Sequence, residues 1–322
     1  VSVDNDRIGA SDVAGGGGRG GRVASERVAR AVALVQEDPT AVLTVVGPTA
    51  SGKTELATLV AEHVGGEIVS ADSVQVYRGF DIGSGKPTAA ERAHAPHHLI
   101  DVADPLDPLD AARFADLAFA AIEAIRARGK VPIVCGGTFL WVKALLYGLA
   151  EGPPASEPLR ARYAAVAQAD GRPALHAMLA LVDPPSAARL HPNDFVRVSR
   201  ALEVHELTGQ TMTSWQASHG FASERVRGRL VGVHVEPDEL TQRITARVRR
   251  WLAAGWVEEV QALVDRGCGQ ARAMGSVGYR EVYGHIKGEI PGGELETLIV
   301  RSTRVFARRQ RTWLHHAAVT WL

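Results

Sequence analysis

Gly47-x4-Gly52-Lys53-Thr54 is the stretch of this chain whose residue types and spacing point most directly to chemistry. It has the P-loop spacing. Glycines let backbone N–H groups close around phosphate oxygens, Lys53 adds a point charge, and Thr54 offers a hydroxyl to Mg²⁺. Gly47, Pro48, Thr49, Ala50, Ser51, Gly52, Lys53 and Thr54 are therefore the candidate phosphate-binding residues. The motif implies a bound di- or triphosphate without saying which, or what is done with it. Asp72 is a second candidate, at the end of an apolar run. A carboxylate there could support Mg²⁺, act as a general base, or cap the turn that follows. Gly136-Gly137-Thr138 is a third, two glycines ahead of a hydroxyl, which fits close backbone approach to a ligand. Near the C-terminus, Arg301, Arg304, Arg308 and Arg311 fall within an arc of roughly 80° on a helix. Such a stripe could cradle pyrophosphate, an RNA backbone, or both. His97 and His98 do not read as a metal pair, because adjacent residues of a strand point to opposite faces.

Elements must hold these residues. The β-branched run before Gly47 predicts a strand, and ELATLVAEHV after it predicts a helix that turns its positive N-terminus toward the anion. Further strands are expected at residues 67–71, at 96–102, at VPIVCGG, at 230–235 and at the closing AVTWL. Between them lie the helices AARFADLAFAAIEAIRARG, capped by Asp110 and ended by Gly129, and FLWVKALLYGL. This alternation predicts an α/β core with a parallel sheet. Composition shifts at Gly152-Pro153-Pro154, and residues 153–226 are Ala- and Arg-rich with helical period, which reads as an inserted helical domain. Within it a helix opens after His191-Pro192-Asn193-Asp194, with Arg197 and Arg200 on one face. Two basic helices are expected after residue 235. The expected domains are thus an extension at 1–38, a core at 39–152 and 227–322, and the insertion at 153–226. Residues 1–21, with GGGGRGGR, read as a flexible tail, and 22–36 as a helix.

The totals bound the partners. At 322 residues there is length for one to three domains, and 46% hydrophobic with 22% charged residues is ordinary for a globular protein. Lys+Arg and Asp+Glu balance at 36 each, so any basic surface must come from segregated charge. Two cysteines are too few for a disulfide framework or a zinc site and suggest a reducing compartment. No apolar run reaches membrane-spanning length and no signal-peptide core opens the sequence. The expected setting is cytoplasmic, with no membrane partner.

Taken together and in order, GPTASGKTELA, SADSVQVYRGFDIGSGKP, PHHLIDVADP, VPIVCGGTFLW, HPNDFVRVSRALEV, VGYRE and ARRQRTWL resemble the tRNA dimethylallyltransferases (isopentenyltransferases) of the bacterial type. The resemblance runs from about residue 42 to the end. It implies a P-loop NTPase-like core with an inserted helical domain, tRNA lying across both. The implied activity transfers the dimethylallyl group from dimethylallyl pyrophosphate to N6 of the adenosine 3′ of the anticodon. The P-loop would then hold a leaving pyrophosphate instead of ATP, with Mg²⁺ assisting at Thr54. It also implies Asp72 as the base and Thr138 as the residue that helps the leaving group depart; Arg304 and Arg308 of the stripe are expected on the pyrophosphate, whose growing charge must be neutralised. The anticodon stem-loop would be contacted by Asp72, Ser73, Val74 and Gln75. The other implied contacts are Val196, Arg197, Val198, Ser199 and Arg200, and Gly275, Ser276, Val277, Gly278, Tyr279 and Arg280. Val196 stands where the family commonly has Gln, and Trp141 where it has Tyr. The acceptor base would have to be flipped out of the loop to react. A monomer is expected.

A P-loop small-molecule kinase would share the strand–loop–helix but have no use for the helical insertion or for DSVQVYRG. A GTPase would carry Asn-Lys-x-Asp, which this sequence lacks. A non-catalytic RNA-binding ATPase is the remaining alternative.

Overall fold

A computed structural model describes residues 19–149, 152–220 and 224–322. The tail expected over residues 1–18 lies outside the described residues. The chain begins with α1 (Arg19–Glu37), β1 (Val42–Val46), α2 (Lys53–Val64) and β2 (Gly66–Ser70). It continues through α3 (Ala89–His94), β3 (His97–His98), α4 (Ala111–Ala127), β4 (Val131–Gly136) and α5 (Phe139–Tyr147). Five helices follow: α6 (Glu157–Ala169), α7 (Arg172–Val182), α8 (Pro184–Arg189), α9 (Phe195–Thr208) and α10 (Met212–His219). The chain closes with β5 (Gly228–Gly232), α11 (Pro237–Ala253), α12 (Trp256–Asp265), α13 (Tyr279–Ile286), α14 (Gly292–Leu314) and β6 (Thr320–Trp321).

Two compact units result, one formed by Val1–Leu146 with Arg225–Leu322 and the other by Tyr147–Glu224. The first holds a six-stranded sheet in the order β3-β2-β4-β1-β5-β6, with every pairing parallel. β1 and β2 are buried along their whole length and β4 is buried after its first residue, as strands covered by helices on both faces must be. Val46 is level with Gly136, and Cys135 with Ser70. The carboxyl ends of β1, β4 and β2 therefore stand side by side. From β1 the chain crosses toward β2, and from β4 it reaches β5 on the other side of β1. Loops leaving neighbouring strands in opposite directions open a crevice there, the usual place for a ligand in such sheets.

The second unit is all helical among the described residues. Tyr163, Leu175, Leu179, Val198 and Leu202 form its own buried core. Glu203 is fully buried within it and accepts from Ser156 N (2.6 Å), Arg200 (2.6 Å) and Arg160 (3.2 Å).

Several elements differ from expectation, each for a local reason. α1 starts at Arg19, so residues 19–21 belong to a helix and not to the tail. β3 is two residues long because Leu99 (φ 61°) and Asp101 (φ 60°) leave the extended region. β5 spans 228–232, set by its pairing with β1 from Gly228. Four helices stand where two were expected after it. Gly255, Gly267, Gly278 and Gly288 are all left-handed (φ 77–94°) and interrupt what reads as continuous helical period.

Candidate active site

Between β1 and α2 the loop of residues 47–52 turns on two left-handed residues, Ala50 (φ 65°) and Gly52 (φ 89°). A non-glycine residue there is uncommon and costs energy, so the loop's shape is imposed. Such alternation aims successive N–H groups into one concavity, an anion-binding nest. α2 begins at Lys53 with no side chain capping it, leaving its first N–H groups and its positive end toward the same place. Two buried polar atoms at this loop have no partner among the described residues: Ser51 Oγ and Arg247 Nε.

Cations from α11 and an amide from α14 complete the loop's surroundings. Arg247 donates from Nη2 to Thr49 Oγ1, and Arg243 donates to the Ser51 carbonyl (3.4 Å). Gln310 accepts from Thr49 N (2.8 Å) and donates to Gly137 O (2.9 Å), fastening the P-loop to the loop after β4. Lys53 Nζ reaches Pro48 O (3.5 Å). Burial pushes the Lys53 ammonium below its ordinary pKa, Asp72 pulls it back and Arg247 pushes it further down. Burial also takes Arg247 down to about 10, with Arg250 adding to the effect and Asp72 opposing it. Cys135 lies beside Lys53, its thiol pushed up to about 11 by burial. Among the described residues no carboxylate forms an ion pair with Lys53 or Arg247.

Asp72 leaves the end of β2 and caps the turn after it. Its Oδ1 accepts from Val74 N (2.9 Å) and Gln75 N (3.3 Å). Thr138 ties the same segment down from the β4 side, accepting from Ser73 N (3.1 Å) and donating to Ser73 Oγ (3.2 Å). Gln75 donates to the carbonyls of Ser84 (3.2 Å) and Gly85 (3.1 Å). The glycine-rich loop carrying those carbonyls is anchored by Lys86, which donates to Tyr77 O, Asp81 and Asp101. That lysine is structural.

The expected site residues divide accordingly. The P-loop, Asp72–Gln75 and Thr138 come together. Arg304 and Arg308 instead line a cleft with Arg311, Leu240, Ile244 and His315, none of them a P-loop residue. α14 turns Thr303, Ala307 and Gln310 inward and leaves Arg301, Arg304 and Arg308 exposed, so the arginine stripe and the inward face differ. In the helical unit, Val196 (73% exposed) and Arg197 face solvent, while Val198 and Ser199 are buried. Arg200 is taken up by Glu203 and the Pro153 carbonyl. In the third segment Gly275 and Arg280 are exposed, Ser276 and Val277 half-buried, and Gly278 and Tyr279 buried. Tyr279 donates to Glu259 (2.7 Å), and burial first, then that carboxylate, raises its phenol well above the ordinary value.

Arg243, Arg247 and Gln310 were not singled out from sequence. A signal existed: Arg243, Arg247 and Trp251 share an arc of roughly 80°, as narrow as the α14 stripe.

Among the described residues no group of three or more His, Cys, Asp or Glu could form a metal cage. The donor set here suits Mg²⁺ differently. The Thr54 hydroxyl at the helix start could hold an ion together with the phosphates of a bound donor.

A family model described as IPP transferase matches residues 75–317. The chain is 62% identical over 284 residues to a tRNA dimethylallyltransferase of Sorangium cellulosum, covering 88% of this chain and 90% of that one. It is 50% identical over 279 residues to a tRNA dimethylallyltransferase of Anaeromyxobacter dehalogenans, covering 86% and 93%. Among solved structures it resembles the tRNA isopentenylpyrophosphate transferase of Bacillus halodurans, with TM-score 0.65, 38% identity, and 88% and 89% of the two chains covered. A eukaryotic dimethylallyltransferase acting on tRNA matches with TM-score 0.65 and 26% identity, over 85% of this chain and 70% of that one.

Proposed function

The chain belongs to the IPP transferase family, and from that membership we infer that it is a tRNA prenyltransferase. The reaction we assign moves the dimethylallyl group from dimethylallyl pyrophosphate to N6 of the adenosine 3′ of the anticodon. The single observation that carries this over a kinase reading is the turn Asp72–Gln75, held by Thr138 where three strand ends meet. The phosphate nest, Asp72 and Thr138 converge there, with two half-buried cations, Lys53 and Arg247, that lack carboxylate ion-pair partners among the described residues.

In this reading Lys53, Arg247 and the loop amides hold the pyrophosphate. An adenine amino group is a poor nucleophile, its lone pair being delocalised into the ring. As that pair forms the C–N bond, the N6 proton passes to Asp72, and the C–O bonding pair leaves with the pyrophosphate. Oδ1 of Asp72 is committed to the turn, so Oδ2 is the oxygen assigned to the proton. Thr138 turns its hydroxyl from Ser73 toward the departing oxygen. Growing negative charge there is met by Lys53, Arg247 and amides already in place, which is where preoriented donors contribute most. Arg247 takes the part expected of Arg304 and Arg308. Mg²⁺, held by Thr54 with the phosphates, would supply further charge neutralisation.

The tRNA is contacted by the exposed members of three segments, Val196 and Arg197, Gly275 and Arg280, and the turn Asp72–Gln75, and the base is flipped out to be reached. The protein acts as a monomer in the cytoplasm; among the described residues no helix is long and apolar enough to cross a membrane. The test mixes the protein with unmodified tRNA, dimethylallyl pyrophosphate and Mg²⁺, followed by mass spectrometry of the nucleosides. Prenylated adenosine next to the anticodon is expected. Its absence, with γ-phosphate released from ATP, would overturn the assignment.

A further inference from the structure

The glycine-rich loop after Asp72 and Trp251 have no part in the chemistry above, yet the loop packs on the indole and the indole in turn carries Arg247. Arg247 and Trp251 are one turn apart on α11 and share a face. The guanidinium lies over the indole, 4.5 Å from the ring centroid. Trp251 is itself confined. A Cβ on Gly85, at φ 62°, would sit 2.8 Å from the indole, so the ring packs directly on that loop's backbone. On another side it meets Trp256 edge to face at 5.5 Å. Trp256 is fully buried, and a side chain on either Gly83 or Gly278 would overlap its ring. The indole that carries Arg247 is thus wedged between an anchored loop and a buried ring. Among the described residues the guanidinium has only Thr49 as a hydrogen-bond partner and keeps a buried, unpartnered Nε.

We propose that Trp251 is a positioning residue: its ring face sets the Arg247 guanidinium over the P-loop, where it grips the donor's pyrophosphate. A desolvated arginine needs something to fix its plane, and a cation–π contact does so without a counter-charge that would compete with the ligand. A carboxylate in the same place would hold Arg247 too, but it would repel the phosphates. Gly85 also offers its carbonyl to Gln75, so the loop that seats Trp251 seats part of the acceptor-side turn.

This inference rests on the reading of the site as a pyrophosphate grip, and the experiment separates the two. Trp251→Leu and Trp251→Met keep apolar bulk without a π face, whereas Trp251→Phe keeps a ring. Calorimetry with inorganic pyrophosphate and Mg²⁺ is run on each, alongside KM for dimethylallyl pyrophosphate, KM for tRNA and kcat. Leu and Met should weaken pyrophosphate binding and raise the donor KM about tenfold, the tRNA KM staying within about twofold, while Phe recovers most of the loss. Equal behaviour of Phe, Leu and Met, or donor and tRNA KM rising together, would overturn the positioning role. If wild type binds pyrophosphate but makes no prenylated tRNA, the assigned reaction fails, and the calorimetric series still decides the tryptophan's role.

Discussion

At the scale of single residues, the proposed reaction asks two duties of one carboxylate, that of Asp72. One oxygen shapes the turn that carries Ser73 and Gln75, and the other is assigned to the proton. Replacement by Ala would remove both and report neither cleanly. Asp72→Asn keeps an Oδ1 acceptor for the two N–H groups and removes the base. It should lower turnover by roughly 10²–10⁴ while pyrophosphate binding, followed by calorimetry, stays near wild type. A collapse of that binding would make Asp72 a metal-holding residue instead. Residue by residue, legibility followed sequence distance. Gly47 to Thr54 could be read because the nest is local, made by one short loop. Arg247 and Gln310 could not, because they reach Thr49 from 198 and 261 positions away. Arg243, Arg247 and Trp251 on α11 and the arginine stripe on α14 span arcs of equal width, and only packing decides which one faces the loop.

Elements show the same division. The strands of the core are readable because a strand buried on both faces is a plain apolar run, and α4 because Asp110 caps it. The four helices after β5 read as two, since periodicity passes over a left-handed glycine that packing alone makes necessary. Within the helical unit α9 carries the most consequential pairing. Burial pushes the Glu203 carboxyl up, yet the bonds from Arg200 and Ser156 and the charge of Arg160 outweigh it and hold the pKa below its ordinary value of 4.5. The folded pKa is depressed, so the stabilisation is present above about pH 4.5 and is lost as pH falls through the folded value. Glu203→Gln should therefore cost about 2 kcal/mol near neutral pH, with the gap to wild type closing in melts below about pH 4. A gap independent of pH would mean packing, not charge, is what Glu203 supplies. The same geometry ties Arg200 to Glu203 and the Pro153 carbonyl, while the more exposed Arg197 is paired with Asp194 (3.4 Å).

For the molecule as a whole, the extension ahead of the core is part of the fold from Arg19 onward. α1 buries Val28, Ala31 and Val35, and it is tied down by Arg27 to His234 O and by Arg229 to Leu34 O and Glu37. None of these residues belongs to the proposed machinery. Deleting residues 1–38 should lower the unfolding midpoint by roughly 5–10 °C, as expected from exposing two valines and an alanine's worth of surface, with kcat changed less than about twofold. A large fall in kcat would show that α1 supports the phosphate nest through α2. The two half-buried cations beside the phosphate loop, finally, bear on what happens after transfer. A grip made of Lys53, Arg247 and fixed amides does not distinguish pyrophosphate about to leave from pyrophosphate that has left. The proposed reaction is therefore open to inhibition by its own product. Its throughput depends on how fast the surroundings hydrolyse free pyrophosphate, as much as on how fast the bond to carbon forms.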